Sequence, residues 1–242
     1  MYMKTPFRFR TALLGGFALL PLLALGQSGQ QPKSAQVHAH IDLTPGQMKG
    51  HTPAAVLWLT PLSAASANPA PPPGHFTLVQ KNRMFTPHLL VVPVGSTVSF
   101  PNADPFFHNV FSLFNGKRFD LGLYEAGKSK DVVFSREGVS YIFCNIHPQM
   151  SAVVLVLATP YYAIADRDES IQLENIQPGE YEAHVWIEGL TQQDLARLVR
   201  RVHLAPGKSE ALSLDARELS RLPTTHLNKF GEPYEPEPEP AY

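Results

Sequence analysis

The residues best equipped for chemistry lie in one stretch, Tyr141-Ile142-Phe143-Cys144-Asn145-Ile146-His147-Pro148-Gln149-Met150. A thiol, an imidazole and a thioether stand there at Cys-x-x-His-x-x-Met spacing, so one short turn can present all three. Upstream, Phe106-Phe107-His108-Asn109-Val110 places a second imidazole, His108, between two apolar strand-like runs. Two imidazoles, one thiolate and one thioether suit a trigonal plane of two His and one Cys with a weak axial Met, the geometry of type 1 (blue) copper. Sulfur ligands favour Cu(I) and imidazole accommodates Cu(II), so a site held between the two rearranges little when an electron moves. Zinc would want a fourth hard or thiolate ligand and gains little from methionine. Taken singly, Met150 reads as a core residue, His108 as a satisfied buried imidazole and Cys144 as a small buried hydrophobe. Their joint pattern, on the only cysteine of the chain, outweighs those readings.

A ligand loop works only on a rigid frame, and the chain around it reads as short strands. Phe76–Gln80, His88–Val94, Ser96–Phe100, Asn109–Ser112, Lys130–Ser135, Val139–Phe143 and Ala152–Ala158 are rich in Val, Phe, Leu and Ile. Turn signals such as Val94-Gly95-Ser96, Pro101-Asn102-Ala103-Asp104, Asn115-Gly116 and Glu137-Gly138 separate them. Strands at this spacing predict an antiparallel sandwich or barrel. A second β block follows at Tyr161–Ala165, Ser170–Glu174, Tyr181–Ile187, Arg200–Ala205 and Glu210–Asp215. One helix is expected near Thr191–Leu198, with Thr191 as cap, Asp194 at the third helical position, and Leu195 and Leu198 on one face. Ahead of both blocks, Val37–Leu43 and Ala55–Leu59 are strand-like, and Pro61–Gly74, with four prolines in its second half, reads as a stiff extended linker or loop.

Composition narrows the class. The chain has 242 residues, 44% hydrophobic and only 17% charged, with Lys plus Arg (20) balancing Asp plus Glu (21). A nucleic-acid protein would show a basic stripe, and 23 prolines argue against a helical fold. Residues 1–26 read as a secretory signal peptide: Lys4, Arg8 and Arg10 precede an apolar run from Thr11 to Leu25, too short for a comfortable membrane span. Ala24-Leu25-Gly26 offers the small residues of a cleavage site. The protein is therefore expected to be periplasmic or secreted, with no stable membrane insertion after signal removal. A lone cysteine in an oxidising compartment can form no internal disulfide, and metal ligation is what would protect it.

Several motifs together resemble a known family, the cupredoxins (plastocyanin, pseudoazurin, amicyanin). They are Phe85-x-Pro87, Val94-Gly95-Ser96-Thr97-Val98-x-Phe100-x-Asn102, Asp104, His108-Asn109-Val110, Gly138-x-x-Tyr141-x-Phe143-Cys144 and His147-x-x-Met150. The short loop is most similar to that of amicyanin, and the resemblance covers residues 76–157. It implies that His108, Cys144, His147 and Met150 hold the copper and that the ring edge of His147 is the port for electrons. It also implies that Asn109 ties the first ligand strand to the Cys144 loop. Phe106-Phe107 is bulkier than the family pattern just before the first ligand. Downstream, Asp168-x-x-Ile171-x-Leu173-x-Asn175-Ile176-x-Pro178-Gly179-x-Tyr181-x-Ala183-x-Val185 resembles a carboxypeptidase regulatory-like (transthyretin-like) sandwich, which implies a structural or binding module without catalysis. Val37–Leu59 is expected to supply the missing early strands of that module, with the copper domain inserted between them.

The expected organisation is all-β: a Greek-key cupredoxin sandwich plus a second small β-sandwich. Its segments are a signal peptide (1–26), N-terminal strands and linker (27–74), a copper-binding domain (75–158), the second sandwich (159–220) and a disordered Glu/Pro tail (221–242). The expected function is single-electron transfer through one type 1 copper ion, without enzymatic turnover. Redox partner proteins such as a c-type cytochrome or a dehydrogenase are the expected partners, and nucleic acid is not. Copper storage or delivery with the same soft ligands is the alternative. A metal-free double sandwich is disfavoured by the presence of all four ligands. A multicopper oxidase or nitrite reductase would need further His clusters, and His38-x-His40 is the only such pair. These two histidines are expected to be surface residues of a strand. His51, His75, His88, His184, His203 and His226 show no ligand spacing, and no G-x-S-x-G, H-E-x-x-H or P-loop motif occurs.

Overall fold

The computed structural model describes residues 33–43, 53–66, 68–113, 116–219 and 227–234. The expected signal segment 1–26, His51, His226 and the Glu/Pro repeat from residue 235 onward lie outside them. In chain order the strands are β1 (Ala35–Asp42), β2 (Ala55–Pro61), β3 (His75–Thr77), β4 (Val79–Lys81), β5 (Met84–Thr86), β6 (Leu89–Pro93), β7 (Ser96–Pro101), β8 (His108–Ser112) and β9 (Phe119–Tyr124). Then come β10 (Ser129–Phe134), β11 (Gly138–Phe143), β12 (Ser151–Leu157), β13 (Tyr162–Ile164), β14 (Ser170–Ile176) and β15 (Gly179–Ile187). A short helix, α1 (Gln192–Arg197), precedes β16 (Arg200–Leu204) and β17 (Ser209–Asp215). Among the described residues no helix is long and apolar enough to cross a membrane.

Two pairs of sheets result. A five-stranded sheet, β6-β12-β11-β8-β9, and a three-stranded sheet, β10-β7-β3, enclose one core, with the β4–β5 hairpin beside them. The second pair is β14-β1-β17 and β13-β2-β15-β16. β1 runs antiparallel to β14 and parallel to β17, and β2 runs antiparallel to β13 and β15. The described chain therefore starts in the second sandwich, builds the first, and returns.

The sequence pattern follows from which faces are covered. β1 alternates buried and exposed residues because only one face of its sheet meets a core. β12 does not alternate: every residue from Ala152 to Leu157 is buried. Its Ala152, Val154 and Val156 point into the core of the first sandwich, while Val153, Leu155 and Leu157 join the core of the second. Leu155 is 1% exposed, so burial of such side chains, worth about 1.5–3 kcal/mol each, holds the two sandwiches against a shared wall.

The helix forms where the cap signal places it. The Thr191 hydroxyl accepts from the Asp194 amide at 3.1 Å, and Leu195 and Leu198 are buried. Three details differ from the sequence expectation. Phe76–Gln80 is two strands, broken at buried Leu78, whose amide donates to Ser99 O at 2.9 Å. β5 is an added strand, and so is β9, whose alternation is interrupted by Gly122 at φ 65°. Finally, residues 227–234, expected within a disordered tail, follow a defined path against the first sandwich, set by the hydrogen bonds of Lys229 and Tyr234.

Candidate metal centre

The loop Cys144–Met150 connects β11 to β12, whose register pairs Phe143 with Ser151. Two backbone bonds close it: Cys144 N–H donates to Met150 O at 3.2 Å, and Met150 N–H donates to His147 O at 3.0 Å. Alternation along β11 sends Ser140 and Ile142 inward, and Cys144 continues that buried row. His108 opens β8, which β11 joins through the pair Phe143–Phe111. That pairing brings together residues 36 apart in sequence.

Three donor atoms converge. Cys144 Sγ lies 3.7 Å from His108 Nδ1 and 3.6 Å from His147 Nδ1, and the two Nδ1 atoms are 3.1 Å apart. A trigonal metal at ordinary metal–nitrogen and metal–sulfur bond lengths needs edges of about 3.5 Å between nitrogens and about 3.8 Å from nitrogen to sulfur. The group therefore fits a metal ion, and it is the one grouping of at least three His, Cys, Asp or Glu side chains that does so among the described residues. His108, Cys144 and Met150 are 0% exposed and His147 is 9% exposed. Met150 is packed in the same core as Cys144.

The surroundings orient His108. His108 Nε2 donates to Asp104 Oδ2 at 2.8 Å, which leaves the Nδ1 lone pair facing the other donors. Asp104 is held in turn by the hairpin between β4 and β5. Asn82 and Arg83, both in the left-handed region (φ 55° and 56°), direct their amides at its carboxylate at 2.7 and 3.0 Å. Burial pulls the Asp104 carboxyl up, but the Arg83 amide, His108 and the Asn82 amide together hold it below the usual carboxylate value of 3.8. Asn102 fixes the intervening turn, donating to Phe106 O at 2.7 Å and accepting from Asp104 N–H at 3.0 Å.

Sulfur is treated differently. Burial pushes the Cys144 thiol up, opposed by the amides of Asn109, Ile146 and His147, and the net shift is upward. A bound cation is what would make the thiolate stable here. The side-chain amide of Asn109 donates to Asp120 Oδ1 at 2.7 Å. Asp120 lies on β9, which pairs directly with β8.

Phe106 completes the centre. Its ring lies 5.2 Å from that of His108 and 5.6 Å from that of His147, with the Arg83 guanidinium 5.5 Å above it. The bulk that set Phe106 apart from the family pattern thus covers the two imidazoles, while Phe107 points outward at 55% exposure. The hairpin at Asn82-Arg83 carried no local signal, since a two-residue turn of this kind usually advertises itself with glycine. His38 and His40 are exposed on β1, and His40 Nε2 stands 3.8 Å from Asp42 Oδ1.

The chain matches no protein-family model and no curated protein sequence. Among solved structures it is similar to a purple cupredoxin from Nitrosopumilus maritimus, at 29% identity over 34% of this chain and 98% of that one, with a TM-score of 0.31. It is similar to a copper-containing nitrite reductase from Thermus scotoductus at 26% identity, over 41% of this chain but only 28% of that one, with a TM-score of 0.34. A reduced Cu(I) amicyanin variant matches at 22% identity over 41% of this chain and 98% of its own, with a TM-score of 0.32.

Proposed function

We propose that the chain binds one type 1 copper ion at His108, Cys144, His147 and Met150 and carries single electrons between redox partner proteins. The observation that carries this reading is the buried triangle of two imidazole nitrogens and one sulfur, with edges of 3.1, 3.6 and 3.7 Å and no carboxylate at any corner. Copper, when bound, supplies a one-electron couple between Cu(II) and Cu(I).

The chain's own residues do the rest. Asp104 keeps the His108 ring turned inward, and three amides face the sulfur and draw charge from it. Phe106 keeps water from the imidazole faces. A close-packed frame around His108, Cys144 and Met150 resists movement, which suits a centre whose geometry must serve both oxidation states. His147 alone of the four retains exposure, so its ring edge is the port for a partner such as a c-type cytochrome or a dehydrogenase. The proposed location is periplasmic or extracellular, on the strength of residues 1–26.

A visible spectrum of the Cu(II)-loaded protein beside a Cys144→Ser variant tests the reading. An intense thiolate-to-Cu(II) band, absent in the variant, is expected. A colourless protein that still binds copper would replace electron transfer with storage or delivery, and a protein that binds none would end both.

A further inference from the structure

The segment Leu227–Tyr234 comes after the last strand of the second sandwich, yet it lies across the ligand loop of the first. Tyr234 Oη donates to the carbonyl of Cys144 at 2.7 Å. The Lys229 amide donates to the side-chain oxygen of Asn145, the next residue in the loop, at 2.9 Å. Lys229 Nζ reaches Asp120 Oδ2 at 2.7 Å, and Asp120 Oδ1 accepts from the side chain of Asn109, the residue after His108. The segment holds its own shape: Asn228 Oδ1 accepts from the amides of Phe230 and Glu232 at 2.9 and 3.0 Å, and Gly231 turns the chain at φ 81°.

From these contacts we infer that the C-terminal segment is a working part of the metal centre, with Tyr234 and Lys229 as positioning residues for Cys144. Tyr234 anchors the cysteine's own peptide. Lys229 holds the neighbouring Asn145 through its amide and reaches, through Asp120, the side chain of Asn109 beside His108. Each contact spans a large sequence separation, 90 residues for Tyr234–Cys144 and 109 for Lys229–Asp120, so the strap also staples this late segment to the first sandwich. The effect on a bound copper rests on the function proposed above; the effect on the thiol does not.

Two readouts test it in the full-length chain. The first is the rate at which iodoacetamide modifies Cys144 in the metal-free protein, where the buried thiol must wait for the loop to open. Losing one hydrogen bond near 1 kcal/mol predicts about fivefold faster modification in Tyr234→Phe, and more than about tenfold in a chain ending at residue 226. The second is the reduction potential and charge-transfer band of the copper-loaded protein. Lys229→Met removes a positive charge from the strap, which favours Cu(II), so the potential falls; Lys229→Arg restores it. Parental modification rates and an unchanged potential in all variants, at unchanged melting temperature, would overturn the inference. Should the shortened chain misfold, the two point variants decide. A protein that takes no copper but shows faster modification in Tyr234→Phe sinks the proposed function and keeps the strap; a blue protein indifferent to every variant does the reverse.

Discussion

Replacing Asp104 by Asn removes one charge and almost no volume, and it strikes the residue that aims His108. The carboxylate of Asp104 accepts three bonds, from Asn82 N–H, Arg83 N–H and His108 Nε2, all between 2.7 and 3.0 Å, and it is 5% exposed. An asparagine can offer one oxygen only, so its NH2 group must face at least one of those donors. A buried donor left unpaired costs about 1–3 kcal/mol, and the remaining bonds weaken by about half when the acceptor is neutral. The sum is a loss of about 2–4 kcal/mol, which at about 2–4 °C per kcal/mol lowers the melting temperature by about 5–15 °C. Metal affinity falls about tenfold to a hundredfold, the usual consequence of losing the carboxylate behind a ligating histidine. The sign with pH follows from the depressed carboxyl: its contribution is present above the ordinary value of 3.8 and lost as pH falls through the lower folded value. Parent and variant should therefore differ at neutral pH and converge in acid. Thermal melts across that range, with titration of copper against a competing chelator, measure both effects. An Asp104→Asn variant with parental affinity and stability would refute the claim that this carboxylate aims the ligand.

Two further outcomes are expected. His88 sits between Glu188 Oε1 at 2.7 Å and Ser151 O at 3.2 Å, and the Glu188 hydrogen bond, against the opposing effect of burial, raises it above the ordinary 6.5. That stability is complete below 6.5 and lost as pH rises through the raised value, so the melting difference between parent and Glu188→Gln should shrink as pH rises above 6.5. Because His88 is half exposed, the difference is small; one that grew with pH would contradict the assignment. Phe106→Ala uncovers both imidazoles and forfeits ring contacts worth about 0.5–1.5 kcal/mol, so copper release to a chelator should quicken about two- to tenfold with the fold intact. An unchanged release rate would show that Phe106 covers the ligands without protecting them.

Local pattern determined much of this protein. Cys144, His147 and Met150 are legible as a donor set because one loop carries all three, and the alternation in β1 and β7 follows directly from one covered face. The cap at Thr191 is equally local, an interaction between residues three apart. Other features had no local trace. β12 reads as a plain apolar run, and only its place between two cores explains why both of its faces are buried. That Asp104 rests on the left-handed amides of Asn82 and Arg83 depends on where the β4–β5 hairpin docks. That Asn109 turns to Asp120, and that Lys229 and Tyr234 close over the cysteine loop, depends on chain paths joining residues from 11 to 109 positions apart. Periodicity reports which face of an element is covered, but it does not report by what. Which residues meet at the candidate metal centre is decided when the β8–β11 and β8–β9 pairings and the returning C-terminal segment bring distant side chains within hydrogen-bond reach.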